Sequence, residues 1–212
     1  MNEGMIAIWA GTMLIILLAT GWRRSLFGGM STSRLAALAA GLFLTLPFHW
    51  RLADQLELHL SALWLVFWSV AALRSASAGR QPVVLLGGCL LLTAAWTTVE
   101  HMYRMDPVFV IVHPTWDAIL LAGLFAGVIS WRWEEQLFIL ALSLLAGQAV
   151  LAWSGVSPAM ETVGGWGWWD RLLLTVPLAR MTGSCSRRLW ALRRRWPTRE
   201  LQDSREQEGS GS

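Results

Sequence analysis

The feature that most limits what this chain can fold into is the recurrence of long apolar runs, each closed by arginine, tryptophan or a proline. Ile6 to Trp22 is apolar apart from small polar residues and is followed by Arg23 and Arg24. Leu35 to Phe48 closes on Pro47, His49, Trp50 and Arg51, and Leu58 to Leu73 closes on Arg74. Pro82 to Val99, Thr115 to Trp131 and Leu137 to Trp153 come next. The first two of these open at or just after a proline, where the missing N–H is harmless to a helix. A seventh stretch, Trp166 to Ala179, is interrupted by Asp170, Arg171 and Pro177, and either spans or lies in the interface. A helix crossing roughly 30 Å of hydrocarbon needs about 20 apolar residues, so the second and third runs are near the short limit and borrow from their flanks.

The bilayer is the better solvent for such a chain. Of its 212 residues 55% are hydrophobic and 15% charged, against about 25% charged in soluble domains. Seven spans would consume about 140 positions, and no soluble domain fits between them. The expected fold is therefore all-α: a polytopic helical bundle of about seven transmembrane helices over residues 1–182. A basic amphipathic juxtamembrane segment, 183–197, and a disordered tail, 198–212, complete it. Tryptophan occurs 15 times. Trp22, Trp50, Trp116, Trp131, Trp133, Trp153, Trp166, Trp168 and Trp169 sit at run ends, as an aromatic belt at headgroup depth would.

Arginine fixes the expected orientation. All 17 positive side chains are Arg, and their excess marks cytoplasmic loops. An outside N-terminus puts Arg23, Arg24, Arg34, Arg74, Arg80, Arg132 and the eight tail arginines inside, leaving Arg51, Arg104 and Arg171 outside. The first run reads as a signal-anchor rather than a cleavable signal peptide. The expectation is thus a multi-pass cell-membrane protein, N-terminus out and C-terminus cytoplasmic. In the tail, Leu189, Leu192 and Trp196 recur at helical spacing among arginines. Arg187, Arg188, Arg193, Arg194 and Arg195 are expected to meet anionic lipid headgroups. Pro197 is expected to end that helix. The bilayer is the expected partner; no nucleic acid is, and the protein partner is open.

The same composition excludes chemistry. Without lysine the chain can form no retinal or pyridoxal Schiff base and no lysine-dependent phosphate loop. Two cysteines, Cys89 and Cys185, are too few for an iron–sulfur cluster or a Cys-rich zinc site. No catalytic triad, nucleophile elbow or dinucleotide fingerprint is present. No enzymatic activity and no cofactor are expected.

One concentration of ionisable groups stands out. All four histidines, His49, His59, His101 and His113, fall at run ends on the expected outer side, together with Asp54, Glu57, Glu100, Asp106, Asp117, Glu161 and Asp170. Ionisable groups near membrane depth are costly, so they pair with each other or serve transport. Glu57, His59, Glu100, His101, His113 and Asp117 form the candidate polar cluster, for a proton, a metal ion or a small solute, with Arg51 or Arg104 compensating. His113 and Asp117 would share a helix face, as would Glu100 and Arg104, whereas Glu57 and His59 would diverge along a helix. Two histidines at one depth on facing helices could also hold a b-type heme. Within the runs, Gly123 and Gly127, Ala37 and Gly41, and Gly87 with Gly88 are small-residue seams expected to pack inside the bundle rather than to form a dimer face.

The opening Met-Asn-Glu-Gly, the apolar run through Trp22-Arg23-Arg24, the size near two hundred residues and the basic C-terminal tail together resemble the YphA-like family of bacterial membrane proteins. The resemblance implies a cytoplasmic-membrane protein of endospore-forming bacteria, linked to building the spore envelope, and supplies no site residues. The expected role is a non-enzymatic membrane factor; the alternative is a small carrier or channel with a His/carboxylate cavity on its outer side.

Overall fold

The computed structural model describes residues 4–21, 31–53, 56–75, 81–106, 108, 110, 113–154 and 161–209. Inside the elements, the side chains of residues 53, 75, 114, 115, 161 and 194–209 are left out. The expected Arg23, Arg24, Arg80 and Asp54 lie outside the described residues, as do the side chains of Arg194 and Arg195.

Seven helices are present among the described residues: α1 (Met5–Ala19), α2 (Thr32–Thr45), α3 (Leu60–Ser75), α4 (Pro82–Met105), α5 (Pro114–Ile129), α6 (Trp133–Trp153) and α7 (Trp166–Gly209). They match the seven apolar runs in order. Two of them, Pro82–Met105 and Trp133–Trp153, are both long and apolar enough to cross a membrane by themselves, while α1, α2, α3 and α5 are shorter apolar helices. α6 is the hub: its own Phe138, Ile139, Leu140, Ala141, Leu144 and Leu151 are all buried. α1 is its opposite: Ala7 is buried, whereas Ile8, Trp9, Ile15 and Ile16 are exposed. A helix apolar all round and uncovered by protein is at home in lipid, not in water.

The small-residue seams do pack within the bundle. A methyl added at Gly123 would come 2.6 Å from Leu178, and one at Gly127 would meet the Ala179 carbonyl at 2.7 Å and the Gly183 nitrogen at 2.9 Å. The α5 backbone therefore lies directly against α7. Gly41 of α2 sits under the Trp64 indole of α3, whose Nε1 donates to the Leu38 carbonyl at 3.3 Å. Gly88 faces Ile129 at 3.2 Å, but Gly87 faces open space.

Three expectations need correction. The connection between the second and third runs, where Glu57 and His59 were read along a helix, is instead a small sheet: β1 (His49–Ala53) and β2 (Leu56–His59) form an antiparallel hairpin, and β3 (Glu161–Val163) runs parallel beside β2. The cause is an alternation of polar and apolar side chains, His49, Arg51, Glu57 and His59 against Trp50, Leu52, Leu56 and Leu58, which is the period of a strand. Leu56, Leu58 and Val163 pack on the bundle core, so the small sheet covers one end of it. Second, Trp168 and Trp169 are buried, meeting edge-on at 5.1 Å between ring centroids, and so do not join an exposed belt. Trp50, Trp116, Trp131, Trp153 and Trp166 are exposed. Third, α7 is one unbroken helix through Pro177, and it runs past Pro197 to Gly209 where a stop was expected. An interior proline removes one hydrogen bond and crowds the carbonyl four residues back, a cost that membrane helices tolerate because neighbouring groups re-satisfy the freed backbone.

Contacts sort the helix ends into two groups. The hairpin end gathers the start of α1, the end of α4, the starts of α5 and α7, and the sheet. The opposite end carries the α5–α6 turn, where Gln136 Nε2 donates to the carbonyls of Ser130 at 2.7 Å and Ala179 at 2.9 Å. That amide ties the turn to α7.

Candidate functional site

The ionisable residues singled out by sequence are concentrated at the hairpin end, where they serve in two places. The hairpin holds the first. His49 and His59 are directly opposed across β1 and β2, with ring centroids 5.5 Å apart, and His49 Nε2 lies 3.3 Å from Glu57 Oε1. His59 Nδ1 stands 3.4 Å from the Leu46 carbonyl, which suits an N–H donor there. Glu57 and His59 were expected to diverge along a helix; on a strand, residues two apart share a face. That correction also brings in His49, which the candidate cluster lacked. The opposed pair sits on strands, so His49 and His59 are not placed as heme ligands from facing helices.

The second place lies between α4, α5 and α7. Glu100 is buried and pairs with Arg171 of α7, Nη1 to Oε1 3.6 Å, rather than forming the expected i,i+4 pair with Arg104. Tyr103 donates its hydroxyl to Asp117 Oδ2 at 3.1 Å, joining α4 to α5. His113 immediately precedes α5, and its carbonyl accepts the Asp117 amide at 3.0 Å. His101 is half-buried one residue beyond Glu100. Among the described residues, no group of three His, Cys, Asp or Glu is arranged to hold a metal ion.

One carboxylate that sequence treated as an interruption does more than the cluster it was set beside. Asp170 of α7 accepts the Gly4 amide on Oδ2 at 2.8 Å and the Ala7 amide on Oδ1 at 2.6 Å. Helix starts carry amide groups with no intrahelical partner and a partial positive charge. α1 has no side-chain cap of its own, so a residue 166 positions along the chain supplies one. Gly4 makes the approach possible: its φ is +86°, and the Trp166 side chain lies 3.0 Å from where a methyl would stand. Adjacent Asp170 and Arg171 thus bind α1 with one side chain and α4 with the next. The legible signal was an acid and a base side by side within an apolar run, where each needs a partner.

A further polar group at the opposite end was missed. Glu135 is 1% exposed and accepts from Ser130 Oγ at 2.5 Å, with Arg132 Nε 3.9 Å away. Arg180 Nη1 donates to the Trp131 carbonyl at 3.3 Å. Arg132 and Glu135 read in sequence only as part of a short inner connection, and Arg180 only as one of the tail arginines.

No solved structure matches the chain. A curated relative, the uncharacterized protein YphA of Bacillus subtilis (strain 168), is 28% identical over 111 residues, 51% of this chain and 55% of the relative. That match spans about half the length of each protein. The family described as YphA-like integral membrane protein matches residues 3–208. With almost every residue included in that match, and with helices whose apolar faces are left uncovered by protein, the chain belongs to the YphA-like integral membrane protein family.

Proposed function

We propose that this protein is a seven-pass, non-enzymatic factor of the cell membrane, its N-terminus outside and its C-terminus cytoplasmic. In this reading the polar groups at the outer, hairpin end hold the bundle together rather than moving a solute. The observation that carries it is the engagement of Asp170 and Arg171: both join α7 to other helices. A carboxylate engaged by two helix-start amides, and a guanidinium engaged by a buried glutamate, act as ties between spans. The basic stretch of α7, with Arg187, Arg188 and Arg193 exposed, then meets the anionic inner leaflet.

The native cysteines supply the topological test. Cys185 is exposed on α7 and Cys89 is buried. A membrane-impermeant maleimide should leave Cys185 unmodified in intact cells and label it after permeabilisation, with C185S as the blank. Labelling in intact cells would overturn the orientation. The role is tested by alanine at Glu57, His59, Glu100, His101, His113 and Asp117, one at a time, at matched expression. Stable variants that abolish flux of an ion or small solute would replace this reading with the carrier; retention of the cellular phenotype supports the factor.

A further inference from the structure

We infer that the α5–α6 turn and the adjoining part of α7 form a binding site for the phosphate headgroup of an anionic phospholipid, held chiefly by Arg180 and Arg187. The site deepens the proposed lipid contact by giving it a defined place; only its assignment to the inner leaflet rests on the proposed orientation.

The framework is fixed before any lipid arrives. Gln136 clamps the turn to Ala179, and Ser186 Oγ donates to the Gly127 carbonyl at 3.4 Å. Within this clamp Arg180, Ser184 and Arg187 recur at four and three residues, one stripe of a helix. The bond from Arg180 to the Trp131 carbonyl holds its half-buried guanidinium at the level of the turn. A guanidinium has five donors in a planar fork suited to phosphate, and this bond engages one of them.

Charge favours an anion there. Glu134 and Glu135 are each 3.9 Å from Arg132 Nε, and Glu135 also takes the Ser130 hydroxyl. With Arg180, Arg187 and neighbouring Arg188 counted against these two acids, the region stays net positive.

A lipid fits better than free phosphate because an apolar wall leads away from the site. Leu124, Val128 and Trp131 follow one another along α5 and its end, 51%, 69% and 44% exposed. An acyl chain can lie along the first two with its phosphate at the guanidinium level, and an exposed indole suits the headgroup boundary.

The test uses the full chain purified in neutral detergent and native mass spectrometry with added dioleoyl phosphatidylglycerol, dioleoyl phosphatidylcholine or inorganic phosphate. Phosphatidylglycerol should be retained and phosphatidylcholine lost. R180Q/R187Q should weaken retention by about tenfold or more, equivalent to roughly 1.4 kcal/mol, whereas R34Q, at an exposed arginine of α2, should change it little. If the double variant does not fold, R187Q alone and R180K, which keeps the charge without the fork, carry the comparison. Equal retention by a monodisperse R180Q/R187Q would overturn the site, as would equal retention of phosphatidylcholine or displacement by equimolar inorganic phosphate. Maleimide labelling of Cys185 in intact cells would instead move the site to the other leaflet and leave its affinity unchanged, so the two readings fail separately.

Discussion

Two neighbouring side chains illustrate how much a single residue can do where water is scarce. Asp170 offers both carboxylate oxygens to the start of α1, and a lost helix cap costs about 0.5–2 kcal/mol. D170A should therefore lower the stability of the detergent-solubilised protein by that order, seen as a lower midpoint in thermal unfolding. D170N, which keeps one acceptor oxygen, should lose less. Equal midpoints for D170A and wild type would mean that the cap contributes nothing. The Arg171–Glu100 pair calls for a different design, because removing one partner strands the other. Arg171 is 28% exposed and Glu100 11%, so the loss in R171Q should fall below the ~3–5 kcal/mol of a fully buried pair. E100Q/R171Q should lose clearly less than the two single variants added together. Strict additivity in that cycle would show that the two side chains do not interact.

At the scale of elements, close approach of backbones decides which substitutions are tolerated. Gly127 faces the carbonyl and amide of α7, which cannot swing aside. G127A should force α5 and α7 apart and cost about 1–3 kcal/mol, as overpacking does. Gly87 faces nothing within 4 Å, and G87A should be neutral or stabilising by up to about 1 kcal/mol because alanine favours helix. Thermal midpoints of the two variants side by side check the pair; a harmless G127A would sink the α5–α7 contact. Gly123 and Gly127 were legible in the sequence because their spacing alone brings them onto one helix face, whereas Gly87, expected in a seam, faces open space. Helix positions were legible for a similar reason: apolar length is a local property. The hairpin was not, because the strand-period alternation from His49 to His59 is short and lies between two long apolar runs, where a helix boundary was the simpler reading. Partners were the least legible of all. Nothing local connects Asp170 to Gly4 or Arg171 to Glu100, and only the packed bundle brings them together.

Across the whole molecule, the last helix closes what the first begins. α7 packs on α1 and α5, contacts α6, and leaves the bundle as a continuous rod. Its 44 residues measure about 66 Å at 1.5 Å per residue, about twice the ~30 Å hydrocarbon thickness. In the proposed seven-pass arrangement part of it crosses and part projects. α1, covered by little protein, depends on α7 for both its cap and its packing, so in that proposed arrangement the first helix docks only once the last is in place. A disulfide can test that closure directly. A Cβ at Gly4 would lie 3.0 Å from the Trp166 Cβ, slightly inside the roughly 3.5–4.5 Å usual across a disulfide. The left-handed backbone at Gly4 adds a strain of order 1–3 kcal/mol to any cysteine placed there. In a C89S/C185S background, G4C/W166C should form an intramolecular bond on mild oxidation, closing a loop around almost all of the bundle and shifting mobility on a non-reducing gel. Each single cysteine should leave mobility unchanged. Failure of the double variant to cross-link, with both thiols reactive toward maleimide, would place α1 away from α7 and remove the cap, the closure and the order of assembly together.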